Sequence, residues 1–351
     1  MTDATHDIYD ITFVGAGPVA LYGMYYAGLR LMRFKAIDMM EETGGGLMAL
    51  YPEKYIYDVG GFPRILAKEL AHQLHTQGTQ YPHTLCLGEQ VKEIVRVTDE
   101  YFQITTDKGM HATRTICLCM GIGSYTPKKL DNDSVRRFEN RGVHYWVKAI
   151  EPLRGKHVLV VGGGDSAFDY SLMLEPVAAS VTHIHRNDFF AAHEDSVKKV
   201  KASRVRMKFP YWEIRELHGG DRVERATIFQ SKTGEEEHIP VDAVILSLGF
   251  HTDPGPMAEW GMEVERNCIR VDSRMRTAVP GIFAAGDIVT YDGKLKLIST
   301  GFGEVAIAVN NAKALIDPKA KVSPGHSTEK HEVVMNKIAA KKHHDELAEK
   351  K

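Results

Sequence analysis

The sequence predicts an α/β fold made of two similar units. At residues 11–20, Ile-Thr-Phe-Val-Gly-Ala-Gly-Pro-Val-Ala, an apolar β-branched run leads into closely spaced glycines and then a long apolar segment. The same arrangement recurs about 147 residues further along, from residue 157. The 351 residues also suit two domains of about 150 residues each. A strand, a tight turn and a helix in this order are typical of parallel α/β sheets.

The first glycine loop has the composition of a dinucleotide-binding turn. Gly15 permits the tight turn, Gly17 lets the backbone approach a pyrophosphate, and Ala20 lets the helix pack closely on the strand. The helix N-terminus then offers free N–H groups and a partial positive charge to phosphates. Asp38 ends the next apolar strand, at about the spacing where an acid reaches ribose hydroxyls. We therefore predict a Rossmann-like dinucleotide site here.

The second glycine loop repeats this order. The apolar run 157–161 leads into Gly162-Gly-Gly164-Asp-Ser-Ala167, a helix follows through Leu174, and a strand is predicted at 180–185. Two such motifs in one chain are far more specific than either alone.

The remaining segments complete the α/β pattern. Helical periodicity is found at 65–77 and 303–315, and glycine-containing hinges at 121–123 and 249–255. Further strands are predicted at 85–97, 101–106, 115–120, 225–230, 243–248 and 269–271. The segment from residue 331, rich in Lys, Glu and Ala, is predicted to be a charged helix or a disordered end.

Composition limits the class of protein. The net charge of −2 gives no global bias toward nucleic acid or an anionic membrane, and 43% hydrophobic residues allow a large core. The first ten residues lack the basic and apolar regions of a signal peptide, and no uncharged apolar run approaches the ~18 residues of a membrane span. We expect a soluble cytoplasmic protein.

The cysteines predict neither a metal site nor a redox dithiol. The chain has four, none in a Cys-x-x-Cys pattern. Cys117 and Cys119 lie two apart in an apolar strand and therefore point to one face. We expect Cys86, Cys117, Cys119 and Cys268 to be small buried core residues, and His343-His344 to belong to a solvated tail.

Together with the stretch at 281–287, which ends in Ala-Ala-Gly-Asp287, the two glycine loops resemble the two-dinucleotide flavoprotein disulfide reductase superfamily. In that superfamily the second, NAD(P)-binding domain is inserted into the first, FAD-binding domain, and each has a Rossmann-like three-layer ββα architecture. The resemblance implies an FAD domain at 1–121 and 251–330, an NAD(P) domain at 122–250 and a charged tail at 331–351.

One branch of that superfamily fits best. The length resembles low-molecular-weight thioredoxin reductases, but those carry a Cys-x-x-Cys before the second glycine loop, and residues 142–149 here contain no cysteine. Several blocks resemble instead the ferredoxin–NADP reductases of thioredoxin-reductase type. These blocks are 50–58 (Leu-Tyr-Pro-Glu-Lys-Tyr-Ile-Tyr-Asp), 162–167, 173–176, 300–304, 310–312 and 326–328.

The resemblance implies an enzyme that passes a hydride between NADP(H) and FAD, and single electrons between the flavin and ferredoxin or flavodoxin. It also implies a homodimer and no acid–base dyad. Two alternatives stay open: a reductase of another acceptor, such as a disulfide, a quinone or oxygen, and a flavin-containing redox sensor with little turnover.

By the same resemblance, Tyr51 stacks on one flavin face and His326 covers the other, from the partner subunit in a dimer. The residues implied to bind FAD are Gly15, Gly17, Pro18, Asp38, Gly46, Leu47, Tyr51, Val91, Tyr125, Asp287 and Thr328. Those implied to bind NAD(P) are Gly162, Gly164, Asp165, Ser166, Ala167, His185 and Arg186.

Two positions depart from the family's usual motifs. Gly46 stands where a glutamine is expected, so a side chain that hydrogen-bonds near the flavin is missing. Asn187 and Ala191 stand where arginines are expected to bind the 2′-phosphate of NADPH, which leaves only Arg186. No acid ends the strand, as NAD specificity would favour. We favour NADPH and leave NADH open.

The basic segment 196–209 carries six Lys and Arg residues. It either steers an acidic ferredoxin or forms an ordinary solvated face, and we favour the solvated face.

Overall fold

The computed structural model describes residues 8–253, 255–323 and 325. These residues form two compact units. Unit 1 comprises the described residues up to Met48, Ile56–Ser124 and those from Asp253 onward, and unit 2 comprises Ala49–Tyr55 and Tyr125–Thr252. The sequence places the domain boundaries near 122 and 250, and the nucleotide bound by each unit stays a prediction.

Unit 1 is built on a seven-stranded sheet of order β5-β2-β1-β8-β7-β6, with β21 also paired to β8. Its strands are β1 (Tyr9–Val14), β2 (Phe34–Asp38), β4 (Ile65–Leu66), β5 (Thr84–Leu87), β6 (Val91–Arg96), β7 (Phe102–Thr106), β8 (Met110–Leu118), β19 (Val264–Glu265), β20 (Cys268–Arg270), β21 (Ile282–Ala284) and β22 (Val289–Thr290). Its helices are α1 (Pro18–Leu29), α3 (Ala67–Gly78) and α7 (Ile298–Ile316).

The centre of this sheet is parallel: β1 pairs with both β2 and β8, and β21 pairs with β8. Strands β6 and β7 continue it as an antiparallel meander. Helix α1 packs between α3 and α7. The carboxyl ends of β1, β8 and β21 meet at one edge, where ligands bind in open α/β sheets.

Unit 2 has a five-stranded parallel sheet of order β10-β17-β11-β12-β13 and an antiparallel meander β14-β15-β16. Its elements are α4 (Asp133–Arg137), β10 (Val143–His144), a 3-10 turn (Glu151–Leu153), β11 (His157–Val161), α5 (Asp165–Leu174), β12 (Ser180–Ile184), α6 (Glu194–Lys201), β13 (Arg206–Lys208), β14 (Trp212–His218), β15 (Arg225–Gln230), β16 (Glu236–Pro240) and β17 (Ala243–Leu246). Four short elements lie near the unit boundaries: α2 (Gly46–Ala49), β3 (Tyr55–Ile56), β9 (Ser124–Pro127) and β18 (Phe250–Asp253).

Alternate residues of β11 supply the two cores of unit 2. Val158 and Val160 pack with the helix layer, whereas Leu159 and Val161 pack with the meander. This period of two is that of a strand buried on both faces, which explains the continuous apolar run of β11. The result is a three-layer unit of helices, parallel sheet and meander.

The segment Ala49–Tyr55 belongs to unit 2, although the predicted boundaries place it in the first domain. Its contacts give the reason. Lys54 forms an ion pair with Asp169, and the Tyr170 hydroxyl donates a hydrogen bond to the Leu50 carbonyl at 3.3 Å. Both partners lie on α5, so this short segment packs as part of unit 2.

Several predicted elements differ at their ends. The strand predicted at 85–97 is two strands, β5 and β6, because Gly88 turns the chain at φ +62°. The helix predicted from 303 begins at Ile298, since Gly301, which resembles a helix breaker in the sequence, lies inside α7. A Cβ on Gly301 would lie 2.5 Å from a Val19 methyl, so this glycine allows α7 to pack closely.

Candidate functional site

The first glycine loop joins β1 to α1 in unit 1. Gly15 has φ +104°, and a Cβ built there would lie 2.5 Å from the Cys119 carbonyl oxygen. The Cys119 N–H in turn donates to the Val14 carbonyl at 2.8 Å. Gly15 is therefore required by the fold, because the chain that follows β8 passes directly against it.

Gly17, in contrast, is not required by the fold. It is the N-cap of α1 with φ −74°, and the nearest described atom to an added Cβ is the Gly45 Cα at 3.9 Å. No described side chain caps the helix, and Pro18 at its start has no N–H to satisfy. An open glycine before an uncapped helix N-terminus fits a pyrophosphate.

Asp38 holds the first loop in shape. Its carboxylate accepts the Ala16 N–H at 2.5 Å and the Met40 N–H at 2.8 Å. Burial raises the pKa of Asp38, and these two backbone hydrogen bonds oppose that shift. The carboxylate thus links the glycine loop to the end of β2, and its predicted contact with ribose stays a prediction.

The glycine segment at 44–46 packs against the same loop. The Gly44 N–H donates to the Ala16 carbonyl at 2.9 Å, and a Cβ on Gly45 would lie 3.0 Å from the Gly17 Cα. Gly46 begins α2, and the Leu47 side chain is buried in the core. Val91, at the start of β6, is also buried.

Asp287 follows β21 at the carboxyl edge of the sheet. Burial raises the pKa of its carboxyl group, which Lys294 and Lys296 lower and Glu304 raises. Within the described ranges its carboxylate has no hydrogen-bond partner, whereas its main-chain carbonyl accepts the Cys268 thiol. A partly buried acid without a partner fits a ligand hydroxyl group, as the ribityl chain of a flavin offers.

The second glycine loop joins β11 to α5 in unit 2 and repeats the first. A Cβ on Gly162 would lie 2.4 Å from the Ser247 carbonyl oxygen. Gly164 is the N-cap of α5 with φ −99°, and no described atom beyond its chain neighbours lies within 4 Å of an added Cβ. The Asp165 carboxylate accepts the His193 N–H at 2.8 Å. Ser166 and Ala167 continue the first turn of α5, so the predicted NAD(P) loop residues lie together.

Two histidines, His183 and His185, pack against the second glycine loop. The sequence analysis predicts a role for His185 only. His183 is buried in β12, with Nε2 2.9 Å from the Gly162 carbonyl oxygen and Nδ1 3.1 Å from the Ser171 hydroxyl. The His185 ring covers Gly163 so closely that a Cβ there would lie 2.1 Å away. Their spacing of two residues at the end of β12 is the signal that the sequence offers.

The neutral state of His183 gives a pH prediction. Burial lowers the pKa of His183 from 6.5 to about 4. A histidine with a lowered pKa stabilises the fold fully above pH 6.5, and this stability is lost as the pH falls through 4. We expect His183→Gln to reduce the loss of unfolding free energy between these pH values by about 3 kcal/mol. Urea unfolding at several pH values measures this loss of unfolding free energy, and His157→Gln on β11 is the control. An equal loss in the wild type, in His183→Gln and in His157→Gln would contradict the prediction.

The loop after β12 folds back onto the glycine loop. The Ala191 N–H donates to the Gly163 carbonyl at 2.9 Å, and the His185 Nε2 lies 2.9 Å from the Phe189 carbonyl oxygen. Arg186 is exposed, and its guanidinium has no ion pair with any described residue. Arg186 therefore places a cation that is unpaired among the described residues in the same loop as Ala191.

The structure describes little or nothing of three residues predicted to contact the flavin, and it describes a fourth, Tyr51. His326 and Thr328 lie outside the described residues. Tyr125 lies in β9, and its side chain is not among those described. Tyr51 lies in the 49–55 segment, with the Lys54 ammonium 5.7 Å from its ring centre. The roles of all four residues stay predictions.

The cysteines partly match expectation. Cys117 and Cys119 are buried with sulfur atoms 3.6 Å apart, and the hydrogen bond to Cys117 and burial raise the pKa of Cys119. Cys86 is only partly buried, so its prediction as a core residue is wrong. Its strand, β5, is at the edge of the sheet, which leaves the side chain partly exposed. Cys86 lies near Glu89 and His111, with the possible ligand atoms within 4.8 Å of one another.

That cluster is already hydrogen-bonded within the protein. His111 lies 3.0 Å from the Lys35 ammonium and 2.7 Å from the Glu89 carboxylate, which also accepts the Thr106 hydroxyl at 2.5 Å. His111 and one oxygen of Glu89 are therefore hydrogen-bonded without a ligand.

The fold and its two glycine loops define the class of α/β proteins with two dinucleotide-binding domains. The sequence matches the family described as pyridine nucleotide-disulphide oxidoreductase over residues 9–312. A thioredoxin reductase from T. acidophilum has the same fold, with a TM-score of 0.76 and 24% identity over 88% of this chain and 99% of that one. One from Lactococcus lactis gives 0.74 and 25% identity over 88% and 99%.

Sequence relatives narrow the class. A ferredoxin–NADP reductase from Geobacillus thermodenitrificans is 47% identical over 323 residues, 92% of this chain and 97% of that protein. Another, from Symbiobacterium thermophilum, is 49% identical over 330 residues, 93% and 98% of the two chains. The chain belongs to the ferredoxin–NADP reductase family within the pyridine nucleotide-disulphide oxidoreductases. The predicted resemblance and α/β fold are thereby confirmed. No described helix is long and apolar enough to span a bilayer.

Proposed function

We propose that the protein is an FAD-dependent ferredoxin–NADP reductase. The observation that carries this proposal is identity of 47–49% over more than nine-tenths of the chain to proteins of that name. When bound, FAD would accept a hydride from the nicotinamide and release electrons singly. Ferredoxin or flavodoxin is the proposed partner for the single electrons.

Residues of unit 1 would bind the pyrophosphate and the ribityl chain of FAD. The Gly15 turn and the α1 N-terminus after Gly17 and Pro18 would bind the pyrophosphate, with Asp38 fixing the loop. Asp287 would accept a hydrogen bond from the ribityl chain. The glycine at position 46 leaves no side chain there, whereas a glutamine would add a hydrogen bond near the ring.

We propose Val91 and Leu47 as apolar neighbours of the cofactor. Tyr51 and His326 would cover the flavin ring, with Thr328 and Tyr125 beside it, and His326 would come from the second subunit of a homodimer. These contacts exclude water and need no general acid or base, since hydride transfer is a reaction of the two cofactors.

A disulfide acceptor is less consistent with the cysteines. Residues 142–149 contain none. The thiol form of the buried Cys119 is favoured, because its pKa is raised, and a thiolate is needed for disulfide exchange. A low-molecular-weight disulfide would therefore have to supply its own sulfur chemistry.

In unit 2 we propose that the α5 N-terminus after Gly162 and Gly164 binds the pyrophosphate of NADP(H). Arg186 would contact the 2′-phosphate alone, because Asn187 and Ala191 carry no charge. A single charge-assisted contact favours NADPH only moderately, so use of NADH is included in the proposal.

Introducing arginines at positions 187 and 191 should increase the preference for NADPH over NADH. We expect the double variant Asn187→Arg/Ala191→Arg to raise the ratio of kcat/KM for NADPH to that for NADH by at least about tenfold, since each charge-assisted hydrogen bond contributes roughly 1.5–3 kcal/mol. Steady-state kinetics with both nucleotides measure it. Thr233→Arg, in an exposed turn of the same unit, controls for added charge. An unchanged ratio would refute the assignment of the 2′-phosphate site.

The basic segment 196–209 as a whole is not proposed as the docking surface for ferredoxin. Lys199 pairs with Asp195, Arg204 with Glu175, and Arg206 and Lys208 with Glu237. In the part of the chain that the structure describes, Lys198 and Lys201 alone of this segment have no acidic partner. This pairing favours the solvated-face interpretation.

The acceptor is tested by coupling NADPH oxidation to ferredoxin-dependent reduction of cytochrome c. We expect turnover that depends on ferredoxin concentration. Fast reduction of the flavin by NADPH without ferredoxin-dependent turnover would indicate a reductase of another acceptor. Negligible reduction by either nucleotide would indicate the low-turnover redox sensor.

A further inference from the structure

Glu304 is an almost completely buried carboxylate on α7 that organises the loop carrying Asp287. One oxygen accepts the Gly286 N–H at 2.8 Å. The other accepts the Tyr291 hydroxyl at 2.7 Å and the Lys294 ammonium at 2.5 Å. Side-chain exposure is 6% for Lys294 and 4% for Glu304, so both charges are removed from water.

The burial of the Glu304–Lys294 ion pair has an energetic cost that other interactions must offset. Taking two charges out of water is energetically costly, and only good geometry and further hydrogen bonds offset that cost. Glu304 has these bonds, and they all reach the loop between β21 and α7. Removing one partner would leave an uncompensated charge in that loop.

The pair lies next to the residue proposed to contact the flavin. Gly286, held by Glu304, directly precedes Asp287. Glu304 and Lys294 also act on Asp287 with opposite signs: the first raises its pKa and the second lowers it. Both charges therefore act electrostatically at Asp287, next to which a ligand of this residue would lie.

We propose that Glu304 and Lys294 are positioning residues for the bound flavin. Because their charges compensate each other, they hold the flavin midpoint potential between the higher value expected with Lys294 alone and the lower value expected with Glu304 alone. This proposal rests on the proposed function, since it requires FAD beside Asp287. Two-electron reduction adds negative charge to the flavin ring, and an unpaired charge nearby, weakly screened by protein, must change the free energy of that step.

The signs are opposite for the two partners. In Glu304→Gln the remaining Lys294 ammonium should stabilise the reduced ring and raise the flavin midpoint potential. In Lys294→Met the remaining Glu304 carboxylate, still hydrogen-bonded to Gly286 and Tyr291, should lower it. The double variant removes both charges and should return close to the wild-type potential.

The potentials are measured on the flavin-loaded proteins against reference dyes from pH 6 to 9. Lys313→Met, which breaks the ion pair with Asp317 at the far end of α7, is the control and should leave the potential unchanged. Glu304→Asp should keep the potential but weaken FAD binding about tenfold, because the shorter side chain loses the Gly286 N–H.

Shifts of the same sign in both single variants, or no shift at any pH, would overturn the proposal. If the single variants fail to fold, the double variant and Glu304→Asp test the proposal instead. A double variant whose flavin midpoint potential differs clearly from that of the wild type would overturn the proposal. Unchanged FAD affinity in Glu304→Asp would also overturn it. A wild-type protein that binds no FAD would instead refute the proposed function.

Discussion

Gly17→Ala is expected to give a folded protein that binds FAD about tenfold to a hundredfold more weakly. The backbone at Gly17 is extended, and the nearest described atom to an added methyl group is the Gly45 Cα at 3.9 Å. The fold therefore tolerates alanine. The ligand would not, because the methyl group occupies the space where the pyrophosphate approaches the α1 N-terminus and its N–H groups.

The measurement compares the FAD content and FAD dissociation constant of Gly17→Ala with those of two other variants. Gly109→Ala, at an open turn position of unit 1, is the matched control and should bind FAD normally. Gly15→Ala, with its Cβ 2.5 Å from a carbonyl oxygen, should lose stability as well. A Gly17→Ala protein with normal FAD affinity and thermal stability would show that the loop does not bind the cofactor.

Gly164→Ala is expected to retain FAD and to lose most of its affinity for NADPH. Its φ of −99° suits alanine, and the space around an added Cβ is open within the described residues. The helix N-terminus of α5 faces that space, so a methyl group there would keep phosphates from its N–H groups. We expect KM for NADPH to rise about tenfold or more, with the flavin spectrum unchanged.

Steady-state kinetics and titration with NADP(H) test this variant. Gly220→Ala, an open position in the same unit, should leave KM unchanged. If Gly164→Ala loses FAD rather than NADPH affinity, the assignment of the two nucleotides to the two units would be reversed. An unchanged KM would remove the second loop from the nucleotide site.

The sequence was most informative where a motif depends on the backbone alone. Both glycine loops could be predicted because their glycines are required for close approach, at Gly15 to the Cys119 carbonyl and at Gly162 to the Ser247 carbonyl. The parallel strands that precede the loops could be predicted because strands buried on both faces give continuous apolar runs.

Element ends and side-chain networks were less predictable. Gly88 and Gly301 are the same residue type, yet the first turns the chain and the second lies within a helix against Val19. That difference depends on a neighbour distant in sequence. The charged network of Glu304 and the support of Gly162 by His183 also join distant residues, so no local pattern predicts them.

Asp38 illustrates a prediction that needs more than spacing. Its position at the end of β2 suggested a ribose contact, and its carboxylate binds the Ala16 and Met40 N–H groups. A carboxylate has four lone-pair positions, so these bonds leave capacity for a hydroxyl group. Spacing predicted where the acid lies, and the backbone conformation determined its protein partners.

An anaerobic titration of the purified protein with NADPH tests most directly whether the chain passes electrons from a nicotinamide to a flavin. The protein should be isolated yellow with one FAD per chain, and about one equivalent of NADPH should bleach the flavin absorbance. About two equivalents of oxidised ferredoxin, each accepting one electron, should then restore the absorbance. A colourless protein that binds no added FAD, or a flavin that neither NADPH nor NADH bleaches, would contradict the proposed function.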